Sequence, residues 1–122
     1  MGKILIVEDN KSLNKALKDK FKKEGFEVFS AFDGRECLEI LDKNKPDVIL
    51  MDLAMPHMDG NETIKHLREN NDVKNIPLII LSNLSDMDNI SKVMSEGVYE
   101  YLVKSDHSLE QIVNKVRRRI EQ

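Results

Sequence analysis

The chain has 122 residues, with 19 Lys or Arg against 22 Asp or Glu and a formal net charge of −3. So mild an acidity argues against nucleic acid as the main partner, and a lone cysteine (Cys37) excludes an internal disulfide and fits a reducing cytoplasm. No apolar run approaches the roughly 20 residues of a membrane helix, the first apolar run is too short for a signal-peptide core, and Ile6 stands where a myristoylation signal needs Ser or Thr.

The first element is a short apolar run, Ile4–Val7, that ends in Glu8-Asp9. Leu13, Ala16, Leu17 and Phe21 then recur at helical spacing, and Gly25 lies where a helix C-cap belongs. A second run, Val28–Ala31, is followed by a helix carrying Cys37, Leu38 and Leu41. Pro46 precedes the third run, Val48–Met51, which drives straight into Asp52. Unbroken apolar residues of this length read as a strand buried on both faces, so Asp52 belongs at its C-terminal tip. The loop Met55-Pro56-His57-Met58-Asp59-Gly60 leads to a helix with Ile64 and Leu67. Pro77 precedes the fourth run, Leu78–Leu81, which ends in Ser82. Ile90, Val93 and Met94 mark the fourth helix, and Gly97 its cap. The last run, Tyr101–Val103, ends in Lys104. Ser108 and Gln111 form a capping box for a final helix with Leu109, Ile112, Val113, Val116 and Ile120. Five strand–helix units in strict alternation predict an α/β domain: a doubly wound parallel sheet with right-handed crossovers and helices on both faces. Residues 1–122 are expected to form one domain, long enough for a full core without staples.

In open parallel sheets ligands bind beyond the C-terminal ends of the strands. Here that edge receives Glu8, Asp9, Asp52, Ser82 and Lys104. Two carboxylates about 4 Å apart repel by roughly 4 kcal/mol at an effective dielectric of 20, so the cluster needs a cation. Mg²⁺ prefers one or two carboxylates together with waters and a phosphoryl oxygen. Lys104 offers a point charge and Ser82 a hydrogen-bond donor, and a carboxylate in such company can attack phosphorus to give an acyl phosphate. Other polar residues take plainer readings. Cys37 is a small buried hydrophobe, His57 a solvated loop residue, Tyr101 a packed strand aromatic, and Arg117-Arg118-Arg119 a solvent-facing complement to the helix macrodipole.

Four motifs in register, Ile-Val-Glu-Asp-Asn at 6–10, Met-Asp-Leu-x-Met-Pro-x-Met-Asp-Gly at 51–60, Leu-Ser at 81–82 and Tyr-Leu-Val-Lys at 101–104, resemble the receiver domain of bacterial two-component response regulators. The resemblance covers essentially the whole chain and implies a flavodoxin-like (βα)5 fold with strand order 2-1-3-4-5. It implies that Asp52 is the phosphoacceptor for a sensor histidine kinase or histidine phosphotransfer protein. Asp9, Asp52 and the backbone carbonyl of Ala54 would ligate Mg²⁺, with Glu8 acting through water. Lys104 and the Ser82 hydroxyl would bind the phosphoryl group, and Tyr101 would follow Ser82 inward. The fourth helix, fifth strand and fifth helix would then carry the altered surface to a downstream protein, with no direct role for nucleic acid or membrane. Such a domain is a signalling phosphoacceptor that assists its own chemistry rather than an enzyme with a turnover substrate.

Three positions depart from the family pattern. Ser105 stands where a proline, commonly after a cis bond, is usual, which leaves open both the peptide geometry and the reach of Lys104. Asn83 replaces a very small residue. Ala54 and Leu84, which border the route of hydrolytic water in this family, are both apolar here, and a long-lived phosphorylated form is the expectation. Three rival functions remain, the first a flavin or nucleotide carrier of similar fold, which would need a Gly- or Ser/Thr-rich phosphate cradle where Glu8-Asp9-Asn10-Lys11 stands. A haloacid-dehalogenase-type phosphohydrolase would need a general acid at position 54, and that residue is Ala54. A receiver-like module that is never phosphorylated would not need every chemical group present.

Overall fold

The computed structural model describes residues 2–53, 60–83 and 87–121. These form, in chain order, β1 (Lys3–Val7), α1 (Lys11–Lys23), β2 (Glu27–Ala31), α2 (Gly34–Leu41), β3 (Val48–Met51), α3 (Gly60–Glu69), β4 (Leu78–Ser82), α4 (Met87–Met94), β5 (Glu100–Val103) and α5 (Leu109–Ile120). One 3₁₀ turn, Lys104–Asp106, joins β5 to α5. All four strand pairs are parallel, in the order β2-β1-β3-β4-β5. Each strand run expected from the sequence is present, extended by at most one residue at an end.

Both faces of the sheet are apolar because helices cover both. Leu5, Val7, Ile49, Met51, Leu78 and Ile80 point to the side covered by α2, α3 and α4, where Cys37, Leu41, Ile64, Leu67 and Val93 meet them. Their neighbours Ile4, Ile6, Val48, Leu50, Ile79 and Leu81 point the other way, against Leu17 and Phe21 of α1 and Ile112, Val113 and Val116 of α5. The strict alternation of a strand thus serves two separate cores. No residue of β3 is more than 1 % exposed, and burial of each such side chain contributes roughly 1.5–3 kcal/mol.

Helix ends follow local chemistry. The Asn10 side chain accepts from the Leu13 N–H at 2.9 Å and starts α1, and Asp33 does the same for Glu36 in α2. Ser108 and Gln111 make the reciprocal capping box on α5. Gly25 and Gly97 hold φ values of 95° and 87°, a region that glycine enters without a Cβ penalty. Arg68 draws the end of α3 onto the turn before β5 by donating to the carbonyls of Lys74, Glu96 and Gly97.

Two expectations need correction. Met94 was placed on the apolar face of α4 but is 40 % exposed, because Val93 already fills that contact. The arginine run does not simply face solvent. Arg117 pairs with Glu24 at 3.1 Å and Arg119 with Glu100 at 2.8 Å, while only Arg118 is exposed. A guanidinium on a long stem can lie back along its own surface to reach carboxylates at the C-terminal end of α1 and on β5. The reading of Cys37 holds: the residue is fully buried, and burial pushes its thiol up to about 12. In the native protein Cys37 is therefore expected to be silent to a disulfide-exchange reagent at mildly alkaline pH, and to react once per chain in denaturant. Rapid native modification would show that the core opens at α2.

Candidate functional site

The register of the sheet builds the site. Val7 lies between Ala31 of β2 and Met51 of β3. The ladder runs one residue further, since Glu8 N–H donates to the Ala31 carbonyl at 3.0 Å and Asp52 N–H to the Val7 carbonyl at 2.9 Å. Glu8 and Asp52 are therefore neighbours at one strand edge, with Asp9 just beyond. Carboxylate oxygens of Glu8, Asp9 and Asp52 all lie within 4.8 Å of one another. Glu8 and Asp52 are buried and Asp9 is exposed.

Lys104 enters this group from the end of β5. Its ammonium lies 2.7 Å from Glu8 Oε1 and 3.0 Å from Asp52 Oδ2. The second oxygen of Glu8 accepts from the Asn10 N–H at 3.1 Å. Burial raises the Glu8 carboxyl above its ordinary range; the Lys104 and Asn10 contacts oppose this and the Asp52 charge adds to it, leaving the direction upward. Burial acts to lower the Lys104 ammonium, but the hydrogen bonds to Glu8 and Asp52 outweigh it and Lys104 rises. The two carboxylates thus hold Lys104 in its charged form, while for Glu8 burial outweighs the help of the ammonium.

Among the described residues the site sets three carboxylates against one ammonium, a formal excess of two negative charges. A hard divalent cation matches that excess and the all-oxygen donor set, and Asp9, the carboxylate open to solvent, gives it a way in. The residues present fit such an ion.

Ser82, the last residue of β4, is 1 % exposed and pairs in register with Val103, immediately before Lys104. Tyr101 is half-buried and packs on the core beneath α2, α3 and α4. The Lys104–Ser105 peptide is trans, as is every peptide among the described residues. The 3₁₀ turn begins at Lys104 itself, so the side chain reaches both carboxylates without a proline at 105. Ala54, His57 and Leu84 lie outside the described residues.

Two buried polar residues were not singled out from the sequence, Thr63 on α3 and Asn14 on α1. For Asn14 a signal exists: it lies three residues before Leu17 and seven before Phe21, on the inward stripe of α1, where an amide is out of place unless it bonds. It donates to the carbonyls of Glu8 and Ala31 at 3.0 and 3.1 Å. The same pattern marks Thr63, which lies four residues before Leu67 on the inward stripe of α3.

The chain belongs to the response regulator receiver domain family, whose model matches residues 4–117. It is 34 % identical over 102 residues to Sporulation initiation phosphotransferase F of Bacillus subtilis (strain 168), covering 84 % of this chain and 81 % of that protein. Among solved structures, the receiver domain of the Francisella response regulator 1452 superposes with a TM-score of 0.90 at 34 % identity, covering 99 % of this chain and 98 % of that one. Chemotaxis response regulator CheY4 of Vibrio cholerae gives 0.88 at 31 % identity, with 98 % of each chain covered. The chain spans about half the length of other curated relatives, such as the probable transcriptional regulator ycf27 of Porphyridium aerugineum, 35 % identical over 121 residues, where it covers 49 %. Family membership sets aside the phosphohydrolase reading.

The three-carboxylate cluster makes Lys104 an internal counterion. Removing one partner of a buried ion pair leaves the other uncompensated, a loss of about 3 kcal/mol or more. Lys104→Met is expected to lose about that much stability in chelator, read by urea denaturation, and to regain part of it with Mg²⁺. Equal stability of variant and parent in chelator would mean that Glu8 and Asp52 do not need the ammonium.

Proposed function

We propose that this receiver domain is a Mg²⁺-dependent phosphoacceptor that takes a phosphoryl group onto Asp52 and changes its partner-binding surface in response. The observation that carries the reading is the charge balance: one ammonium among three carboxylates, with two negative charges to spare. An Asp52 oxygen attacks the phosphorus of a phosphohistidine on a sensor kinase or histidine phosphotransfer protein. The P–O bond forms, the P–N bond breaks, and an acyl phosphate results. Asp9, Asp52 and the Ala54 carbonyl would hold the metal directly, and Glu8 through water. Mg²⁺, when bound, supplies charge neutralisation for the carboxylates and the phosphoryl oxygens.

Lys104 exchanges its Asp52 contact for a phosphoryl oxygen and keeps Glu8. The Ser82 hydroxyl, one register position from Lys104, donates to another phosphoryl oxygen, and Tyr101 moves with it. The rearrangement reaches α4, β5 and α5, where Met94 and Tyr99 are already exposed, and a downstream protein reads that surface. The domain acts in the cytoplasm, and phosphotransfer rather than substrate turnover is its chemistry.

Incubation with acetyl phosphate and Mg²⁺, followed by intact-mass measurement, tests this. One phosphoryl adduct is expected, absent in Asp52→Asn and absent with chelator. An adduct that persists in Asp52→Asn would reassign the acceptor.

The apolar residues Ala54 and Leu84 cannot orient water by hydrogen bonding, which supports slow hydrolysis. Once the donor is removed, the adduct is expected to outlast that of an otherwise identical chain bearing a polar side chain at 54. Slower loss in Ala54→Asn than in the parent would overturn this.

A further inference from the structure

Glu8 and Asp9 are consecutive, and in extended backbone consecutive side chains point to opposite faces. Yet their carboxylates converge with Asp52 within 4.8 Å. The chain must turn at the Glu8–Asp9 peptide, and whatever fixes that peptide plane fixes where the two acids aim. The carbonyl of that plane belongs to Glu8, and its partner is the side chain of Asn14 at 3.0 Å. The other amide hydrogen of Asn14 goes to Ala31 at 3.1 Å, the same carbonyl that receives Glu8 N–H. Two carbonyls leave only one orientation for the amide. Asn14 is 2 % exposed, so water does not replace it. The Glu8 carboxylate is held in turn by the N–H of Asn10, whose side chain caps the same helix. The start of α1 therefore holds the peptide through Asn14, and its N-cap residue Asn10 holds the side chain.

We propose that Asn14 is a positioning residue for the cation site: its carboxamide clamps β1 to β2 and sets the Glu8–Asp9 peptide so that both carboxylates face Asp52. This rests on the cation-binding reading above. Groups behind a metal's ligands typically govern about 10- to 100-fold in affinity.

The test compares the parent with Asn14→Leu, which keeps the volume and removes both donors, and Asn14→Ser, which retains one. Val116→Ala, in the core under the last turns of α5, serves as a variant destabilised away from the edge. Two quantities are read on the full chain: Mg²⁺ affinity by titration calorimetry, and native-state hydrogen exchange of the Glu8, Asp9 and Asn10 amides in chelator. Asn14→Leu is expected to weaken Mg²⁺ binding about tenfold and to speed those amides at least tenfold beyond its loss of global stability, with Asn14→Ser between. Val116→Ala is expected to leave affinity unchanged and those amides moving only with global stability. If Asn14→Leu matches Val116→Ala in both readouts, Asn14 is packing alone and the inference fails. Where the leucine variant does not fold, Asn14→Ser carries both comparisons. If the parent itself takes up no Mg²⁺, the cation reading fails, while the exchange rates still decide whether Asn14 holds the peptide.

Discussion

Lys104 crosses from the end of β5 to carboxylates that leave β1 and β3, 2.7 and 3.0 Å away. Like charges this close are costly in a partly buried site, where each pair repels by several kcal/mol. The ammonium offsets part of that cost and stops short of neutrality. A site left with two excess negative charges is stable as a protein surface and still in want of a divalent ion. A second ammonium would leave one negative charge in excess in place of two, and a weaker case for a divalent ion.

That balance needs a rigid frame, because Coulomb energy at these distances changes steeply with small displacements. The frame is the parallel sheet, in which β1 and β3 are adjacent and each ladder runs one residue past the regular strand to fix Glu8 and Asp52. The apolar residues preceding the acids make this possible. Val7 and Met51 are anchored in one core, Ile6 and Leu50 in the other, so each strand tip is gripped from both faces. Polar groups at the edge then answer to one another instead of to loop motion. Asn14 belongs to the same economy: an amide placed on an apolar helix stripe, tolerated because both of its donors are used.

Outside the edge, the surface shows how charge on long side chains resists reading from a string. Arg117 and Arg119 belong to one helix end, yet they serve two different neighbours, Glu24 beside α1 and Glu100 on β5. Arg117 also lies over the Phe26 ring and Arg119 over Tyr99. Those contacts tie α5 to both flanks of its face of the sheet, and Arg119 with Tyr99 does so within the surface proposed to carry the signal.

Strand positions, helix caps and both cores were legible in the residues, because apolar periodicity, glycine and the Ser108–Gln111 box act through neighbours only a few residues apart. The acids, hydroxyl and lysine at strand ends were legible for the same reason: each strand tip is a local event. Which tips meet was not local. Strand order came from resemblance to a family, and only the folded sheet set Glu8 beside Asp52 and brought Lys104 to both. Likewise the geometry after Lys104 stayed open in the sequence, since Ser105 permits more than one path; the fold resolved it as a trans peptide entering a 3₁₀ turn. The place of Asn14 on the apolar stripe of α1 hints at a bonded amide, but its partners, the carbonyls of Glu8 and of Ala31 17 positions later, were set only by the fold. What the chain determined by itself is the inventory of charges and the elements that carry them. The tertiary structure decided the distances between those charges, and distance is what turns an inventory into a site.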